Sequence, residues 1–237
     1  MHPIRAPNLE SPHAFTTRQG GVSQGPYATL NLSYAVGDRP EHVAENRRRV
    51  LAAFGEPPSF GLDQVHGGRV VHAEGPGIAE GDAAVTDVPG LLLRVSVADC
   101  YPLLFEDPKS GAVGAAHAGW RGVAAGIVEN TVRALQEAFQ SDPETLRVAI
   151  GPGICGRCYQ VGLEVVDAVG GFAVPDPGAE GRFLLDLPAA IEARLRALGV
   201  KNIWRANRCT FEDEELFSYR RQGRESGRMW GVIQRAL

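Results

Sequence analysis

Short apolar runs, each closed by Gly, Pro or Asp, recur along this chain and alternate with stretches of helical periodicity. That alternation limits the fold more than any other feature. Runs of four to nine residues with β-branched or apolar character read as strands, and they fall at residues 14–18, 69–73, 91–99, 103–106, 112–117, 146–150, 183–186, 203–206 and 229–233. Helices are expected over 41–54, 124–139 and 188–198. In the second of these, Val128, Val132, Leu135 and Phe139 make one apolar stripe. A mixed sheet core with helices packed outside is the economical architecture. With no internal repeat or long linker, residues 1–237 read as a single domain.

A net charge of -4 argues against a nucleic-acid or anionic-membrane binder, both of which need a basic surplus. No stretch approaches about 18 uninterrupted apolar residues, so no transmembrane helix is expected. The opening residues, from Met1 to Pro7, lack the apolar run of a signal peptide, and cytoplasmic residence is the expectation. Four cysteines (Cys100, Cys155, Cys158, Cys209) in a chain this long do not make a disulfide scaffold and read better as thiols or metal ligands. A monomer is expected.

Three separated segments carry an imidazole or thiol inside a frame of small residues: Gln64-Val65-His66-Gly67, Ala98-Asp99-Cys100 and Ala116-His117-Ala118-Gly119. His66 precedes a turn into the 69–73 strand. Cys100 ends an apolar strand and is expected at a chain reversal near Pro102. His117 ends another strand and shares a face with Val113 and Ala115. Two imidazoles and a thiolate would leave a tetrahedral zinc one open position, as a catalytic zinc requires. The same residues could equally make a thiolate–imidazole nucleophile pair. Their separations match no zinc-finger spacing, so convergence depends on the fold.

Arg47 falls in the middle of the Val43, Val50, Phe54 stripe, whereas Arg48 and Arg49 rotate toward solvent. A guanidinium there needs a partner, either a core carboxylate or an anionic ligand. Arg18, in the Arg18-Gln19-Gly20-Gly21 loop, and the Arg220-Arg221-Gln222-Gly223 loop could cradle an anion or be plain solvated turns. Cys155-Gly156-Arg157-Cys158 is a lone C-x-x-C with no second pair to complete a structural site, and Cys209 is too distant to assign.

Taken together, Phe15-Thr16-Thr17-Arg18-Gln19-Gly20-Gly21, Leu30-Asn31-Leu32, Asn46-Arg47, Gln64-Val65-His66-Gly67, Ala98-Asp99-Cys100, the block from Ala116 to Gly122, Ile150-Gly151-Pro152-Gly153 and Phe217-Ser218-Tyr219-Arg220-Arg221 resemble the YfiH/laccase-domain family, also called polyphenol oxidase or peptidoglycan editing factor. The resemblance implies an α+β fold, an α/β/β/α sandwich of mixed sheets with helices outside. It implies a zinc site at His66, Cys100 and His117 with Arg47 as a further catalytic residue, and Arg47, Arg18 and Asn31 as substrate-binding. It also implies action on purine nucleosides: phosphorolysis of adenosine, inosine and methylthioadenosine, with nucleoside and phosphate as partners, and deamination of adenosine.

Zinc is the expected metal. Copper, which outranks zinc in the usual affinity order, would fit the same ligands. A four-copper oxidase would need more clustered imidazoles than six histidines provide. The remaining alternative is a metal-independent cysteine hydrolase or amidase acting on peptidoglycan precursors, with Cys100 as nucleophile.

Overall fold

The computed structural model describes residues 2–237; Met1, the first residue of the opening segment read above, lies outside them. In chain order the elements are β1 (His13–Phe15), α1 (Pro40–Ala52), β2 (Ser59–Asp63), β3 (Val70–His72), β4 (Gly77–Glu80), β5 (Ala83–Thr86), β6 (Leu92–Val97), β7 (Tyr101–Glu106) and β8 (Val113–Ala118). There follow α2 (Trp120–Ala124), α3 (Ile127–Phe139), β9 (Arg147–Ile150), β10 (Gln160–Val161), α4 (Leu163–Val169), β11 (Ala173–Pro175), β12 (Phe183–Leu185), α5 (Leu187–Ala197), β13 (Asn202–Arg205), α6 (Tyr219–Gln222) and β14 (Met229–Gln234).

Two mixed sheets carry the molecule, one ordered β1-β14-β6-β2-β4 and the other β13-β9-β7-β8-β5-β3, with β10-β12-β11 forming a small third sheet. Side-chain alternation along β7 assigns the layers. Tyr101, Leu103 and Phe105 join a core with Ile127, Val128, Val132 and Leu135 of α3 and Ile191 and Leu195 of α5. Leu104 points the other way, into a core shared with Leu93 and Val95 of β6 and Ala115 of β8. On the far face of the five-stranded sheet, Leu92, Trp230 and Val232 pack against Val50 of α1. The layers therefore run α1, five-stranded sheet, six-stranded sheet, then α3 and α5. Strands buried on both faces read as continuous apolar runs, which is why 91–99 and 103–106 are so plain in the sequence. The expected α+β arrangement of mixed sheets with outer helices is the one found.

Two local expectations are corrected. The helix read over 124–139 is two helices, because Gly126 at φ +80° ends α2 and starts α3. Pro102 is not at a chain reversal: it lies in β7, paired with His117, and the pairing with β9 begins only at Leu103, so no ladder bond calls for its missing amide hydrogen. The chain does not turn back there but steps across residues 98–100 from one sheet to the other. Among the described residues, no helix is long and apolar enough to cross a membrane.

Candidate active site and metal centre

The chain steps from the five-stranded to the six-stranded sheet three times: between β2 and β3, between β4 and β5, and between β6 and β7. Each crossing deposits one functional side chain: His66, Asp82 and Cys100. Crossings this abrupt need unusual backbone, and His66 (φ 61°), Gly81 (φ 159°) and Asp99 (φ 87°) all have positive φ. For His66 and Asp99 this is a conformation that side chains disfavour and that clusters at functional sites. His117 arrives from the six-stranded sheet itself, near the end of β8, on the face that turns Val113 and Ala115 toward the other sheet.

The result is a compact cluster. One ligand atom from each of His66, Cys100 and His117 lies within 4.8 Å of the others, and the two imidazoles meet edge to face at 4.7 Å between centroids. Gly119 makes room for them: a Cβ there would sit 2.7 Å from Cys100 Sγ and 3.5 Å from His66 Cδ2.

Asp82 is the keystone, and the sequence reading missed it. Its carboxylate is fully buried and accepts from the backbone amides of Val65 (3.2 Å), His66 (2.9 Å) and Gly67 (2.7 Å). His117 Nδ1 donates to the same carboxylate at 2.8 Å, and the His117 amide donates to the Asp82 carbonyl at 2.7 Å. One residue thus holds two of the three ligand-bearing segments and leaves His117 Nε2 for the cluster, the arrangement that carboxylates impose on metal-binding histidines. Burial alone would raise the Asp82 carboxyl, yet the hydrogen bonds from His117 and the Gly67 and His66 amides hold it below the ordinary carboxylate value. Its only signal in the sequence is an aspartate beside a glycine ahead of an apolar run, which reads as a strand boundary.

The electrostatics of the three ligands are coupled. Burial would push the Cys100 thiol up, but attraction and hydrogen bonds from His117 and His66 bring it down to about 6. Burial would likewise lower His117, whereas Cys100 and Asp82 raise it to about 9. The cluster favours a thiolate, the form that binds metal or attacks an electrophile. The donor set fits a zinc-class ion: one soft and two borderline donors, a tautomer fixed by Asp82, and a cradle that a Cβ at 119 would fill.

Asp99, the carboxylate adjacent in sequence, is committed elsewhere. Its oxygens accept from Thr210 Oγ1 (2.5 Å) and the Arg220 amide (2.6 Å), and its carbonyl from the Ile154 amide (2.9 Å). It orders the Cys100 turn.

A family model described as multi-copper polyphenol oxidoreductase laccase matches residues 12–236. The chain belongs to this family. It is 50% identical over 234 residues to a Deinococcus radiodurans protein named purine nucleoside phosphorylase, covering 97% of this chain and 91% of the relative. It is 42% identical over 229 residues to Escherichia coli purine nucleoside phosphorylase YfiH, covering 92% and 91%. Among solved structures, YlmD from Geobacillus stearothermophilus superposes with a TM-score of 0.91 at 36% identity, covering 98% of this chain and 94% of that one.

Other features marked by the family resemblance sit around, rather than in, the cluster. Among the described residues, Arg47 finds no carboxylate. Its Nε donates to the Leu32 carbonyl (2.8 Å) and its guanidinium lies over the rings of Tyr34 (4.3 Å) and Trp230 (5.1 Å). The ion pair considered for it is thus replaced by a carbonyl and two aromatic faces. Asn31 braces loops, donating to the Ser33 carbonyl (3.1 Å) and Asp38 Oδ2 (2.9 Å) and accepting from the Arg228 amide (2.9 Å). Arg18 donates to the Ala28 carbonyl (2.6 Å) and covers Phe217.

Nearer the cluster lie Arg220, from the loop read as a possible anion cradle, Arg121, and Arg228, which the sequence did not single out. The Arg228 side chain is largely desolvated and feels the charges of Cys100 and Asp99. Tyr159, whose phenol burial pushes up, feels Cys100, Arg220, Asp99 and Arg121, and the Arg220 guanidinium covers its ring at 5.4 Å. Among the described residues, Arg121, Arg220 and Arg228 have no carboxylate partner within salt-bridge distance.

Proposed function

We propose that the protein cleaves purine nucleosides with phosphate at the His66–Cys100–His117 cluster, with adenosine, inosine and methylthioadenosine as substrates. The observation that carries this reading is the convergence of two imidazoles and a cysteine beside arginines that make no salt bridge. The names of the relatives supply the substrate class.

The chain's own residues divide the task. Arg228 and Arg220, lacking carboxylates, offer charge-assisted hydrogen bonds to an anion beside Cys100, which suits phosphate held against a sugar carbon. Tyr159 keeps its proton on Oη at neutral pH and presents a donor to the base. Asp82 keeps His66 and His117 in place throughout. His66, Cys100 and His117 would hold zinc, which when bound supplies Lewis acidity and an open position suited also to adenosine deamination. The copper-oxidase reading finds little support, because the cluster brings together only two of the six histidines. Arg47, Arg18 and Asn31 keep a substrate-binding role in this proposal through the loops that they brace.

A second reading is favoured by one observation, the Cys100 thiol lowered to about 6 beside His117. It is a cysteine hydrolase or amidase acting on peptidoglycan precursors, for which no metal is needed.

The test is chromatographic. Zinc-loaded protein is incubated with adenosine or inosine, with and without phosphate, beside Cys100→Ala. Phosphate-dependent free base, or inosine formed from adenosine, that vanishes in the variant supports the nucleoside reading. No turnover by metal-replete protein overturns it. Chelator-resistant hydrolysis of a muropeptide precursor that alkylation abolishes would install the second.

A further inference from the structure

The lone C-x-x-C of the sequence is not alone in space. β9 and β13 run parallel, with Ile150 opposite Arg205, so the loops leaving their C-terminal ends are neighbours. The pairing continues past the strands: the Ala206 amide donates to the Ile150 carbonyl (2.9 Å), the Thr210 amide to the Gly153 carbonyl (3.1 Å), and Gly153 and Cys209 form a parallel bridge. Just past that bridge, Cys155-Gly156-Arg157-Cys158 packs beside Cys209-Thr210-Phe211-Glu212. A C-x-x-C therefore faces a C-x-x-E.

One ligand atom from each of Cys155, Cys158, Cys209 and Glu212 lies within 4.8 Å of all the others. With metal–sulfur bonds near 2.3 Å, a tetrahedral thiolate site has ligand separations of about 3.8 Å, so closing this set needs a contraction of about 1 Å at most. The Cys155 amide donates to Cys209 Sγ at 3.3 Å, a bond that orients that sulfur. Arg157 Nη2 reaches both Glu212 oxygens, at 3.2 and 2.9 Å, so the carboxylate is oriented before anything binds. All four cysteines of the chain are free thiols, and a cavity of about 700 Å³ lined by Cys155, Arg157, Cys209 and Glu212 gives access.

We propose that Cys155, Cys158, Cys209 and Glu212 bind a zinc-class divalent cation as a second, structural metal centre. Three soft thiolates select such an ion over magnesium or calcium. A set of four protein ligands leaves no open position, as in zinc sites that hold a fold rather than perform chemistry. What this one would hold is the backing of Cys100. Ile154, next to Cys155, and Thr210, next to Cys209, are the residues whose amide and hydroxyl grip Asp99. The centre is separate from His66, Cys100 and His117 and does not depend on the nucleoside reading.

The test counts metal. Wild type, Cys100→Ala, Cys158→Ser and the double variant are purified under reducing conditions with zinc supplied, passed over a chelating resin and assayed by inductively coupled plasma mass spectrometry. The expected stoichiometry is two zinc per chain for wild type, one for each single variant and none for the double. A wild type holding one zinc that Cys100→Ala abolishes overturns the proposal, as does a second zinc indifferent to Cys158→Ser. So does a mass deficit of two hydrogens, marking a disulfide in place of the metal. Should Cys158→Ser fail to fold by circular dichroism, Co(II)-loaded Cys100→Ala decides. Strong thiolate-to-cobalt charge transfer with tetrahedral visible bands supports the centre, and their absence overturns it.

Discussion

The two sulfur-bearing clusters lie on either side of Asp99 and are built on opposite plans. At His66, Cys100 and His117 there are three donors, two of them imidazoles, fixed by a buried carboxylate and bordered by Arg121, Arg220 and Arg228, which make no salt bridge among the described residues. At Cys155, Cys158, Cys209 and Glu212 there are four donors, three of them thiols, and the arginines around them are paired: Arg157 with Glu212, Arg205 with Glu192, and Arg208 with Asp213 and Glu215. An incomplete ligand set beside arginines outside any salt bridge is equipped to receive an anionic substrate. A complete set among neutralised cations is equipped to stay shut.

The comparison breaks first at Asp82. Asp82→Ala leaves three inward-facing amides and His117 Nδ1 without their acceptor in a dry site, and a loss of about 3–5 kcal/mol of stability is expected. Zinc should go from the first cluster and stay in the second. Urea unfolding with metal counting checks both, and stability within about 1 kcal/mol of wild type would remove Asp82 as the keystone.

Gly119→Ala is gentler. The new Cβ, 2.7 Å from Cys100 Sγ, should cost about 1–3 kcal/mol by overpacking. It should weaken zinc at the first cluster alone, which competition with a chromophoric chelator reads directly. Equal weakening at both clusters would show that they are not independent.

The arginine contrast predicts a split in kinetics. Arg228→Gln should raise the KM for phosphate about tenfold, the value of one charge-assisted hydrogen bond, with kcat less affected. Arg208→Gln, whose parent is paired beside the second cluster, should leave that KM unchanged. Steady-state phosphate titrations distinguish the two, and equal KM values for Arg228→Gln and wild type would count against the phosphate role.

The smallest effect is in pH. The Asp82 carboxyl is held below its ordinary value, so its contribution is fully present above the unfolded carboxylate pKa of about 3.9 and is lost as pH falls through the lower folded value. The stability gap between wild type and Asp82→Asn should therefore narrow on acidification below about pH 4. A gap that widens in acid would reverse the sign assigned to this group.

Much of the layer plan was legible in the residues. Strands buried on both faces announced themselves as unbroken apolar runs, and α3 as a stripe ending at Phe139. Alternation correctly set His117 on the face of Val113 and Ala115. Short strands such as β4 and β5 went unseen because four residues of Gly, Ile, Ala and Glu or of Ala, Val and Thr give too little pattern. Gly126 broke a helix that its neighbours' periodicity carried straight through.

By itself the sequence determined which residues have the chemistry: two histidines and a cysteine in small-residue frames, a C-x-x-C, and arginines beside glycines. Those are properties of side chains, and they need no partner to be recognised. Which of them meet was decided by the tertiary structure alone. His66, Asp82 and Cys100 converge because three separate connections cross between the same two sheets at one rim. Cys209 and Glu212 reach Cys155 and Cys158 because β13 lies parallel to β9 in one register. Strand order and register are set by packing summed over the whole core, so a local reading could name the donors but not the clusters they form.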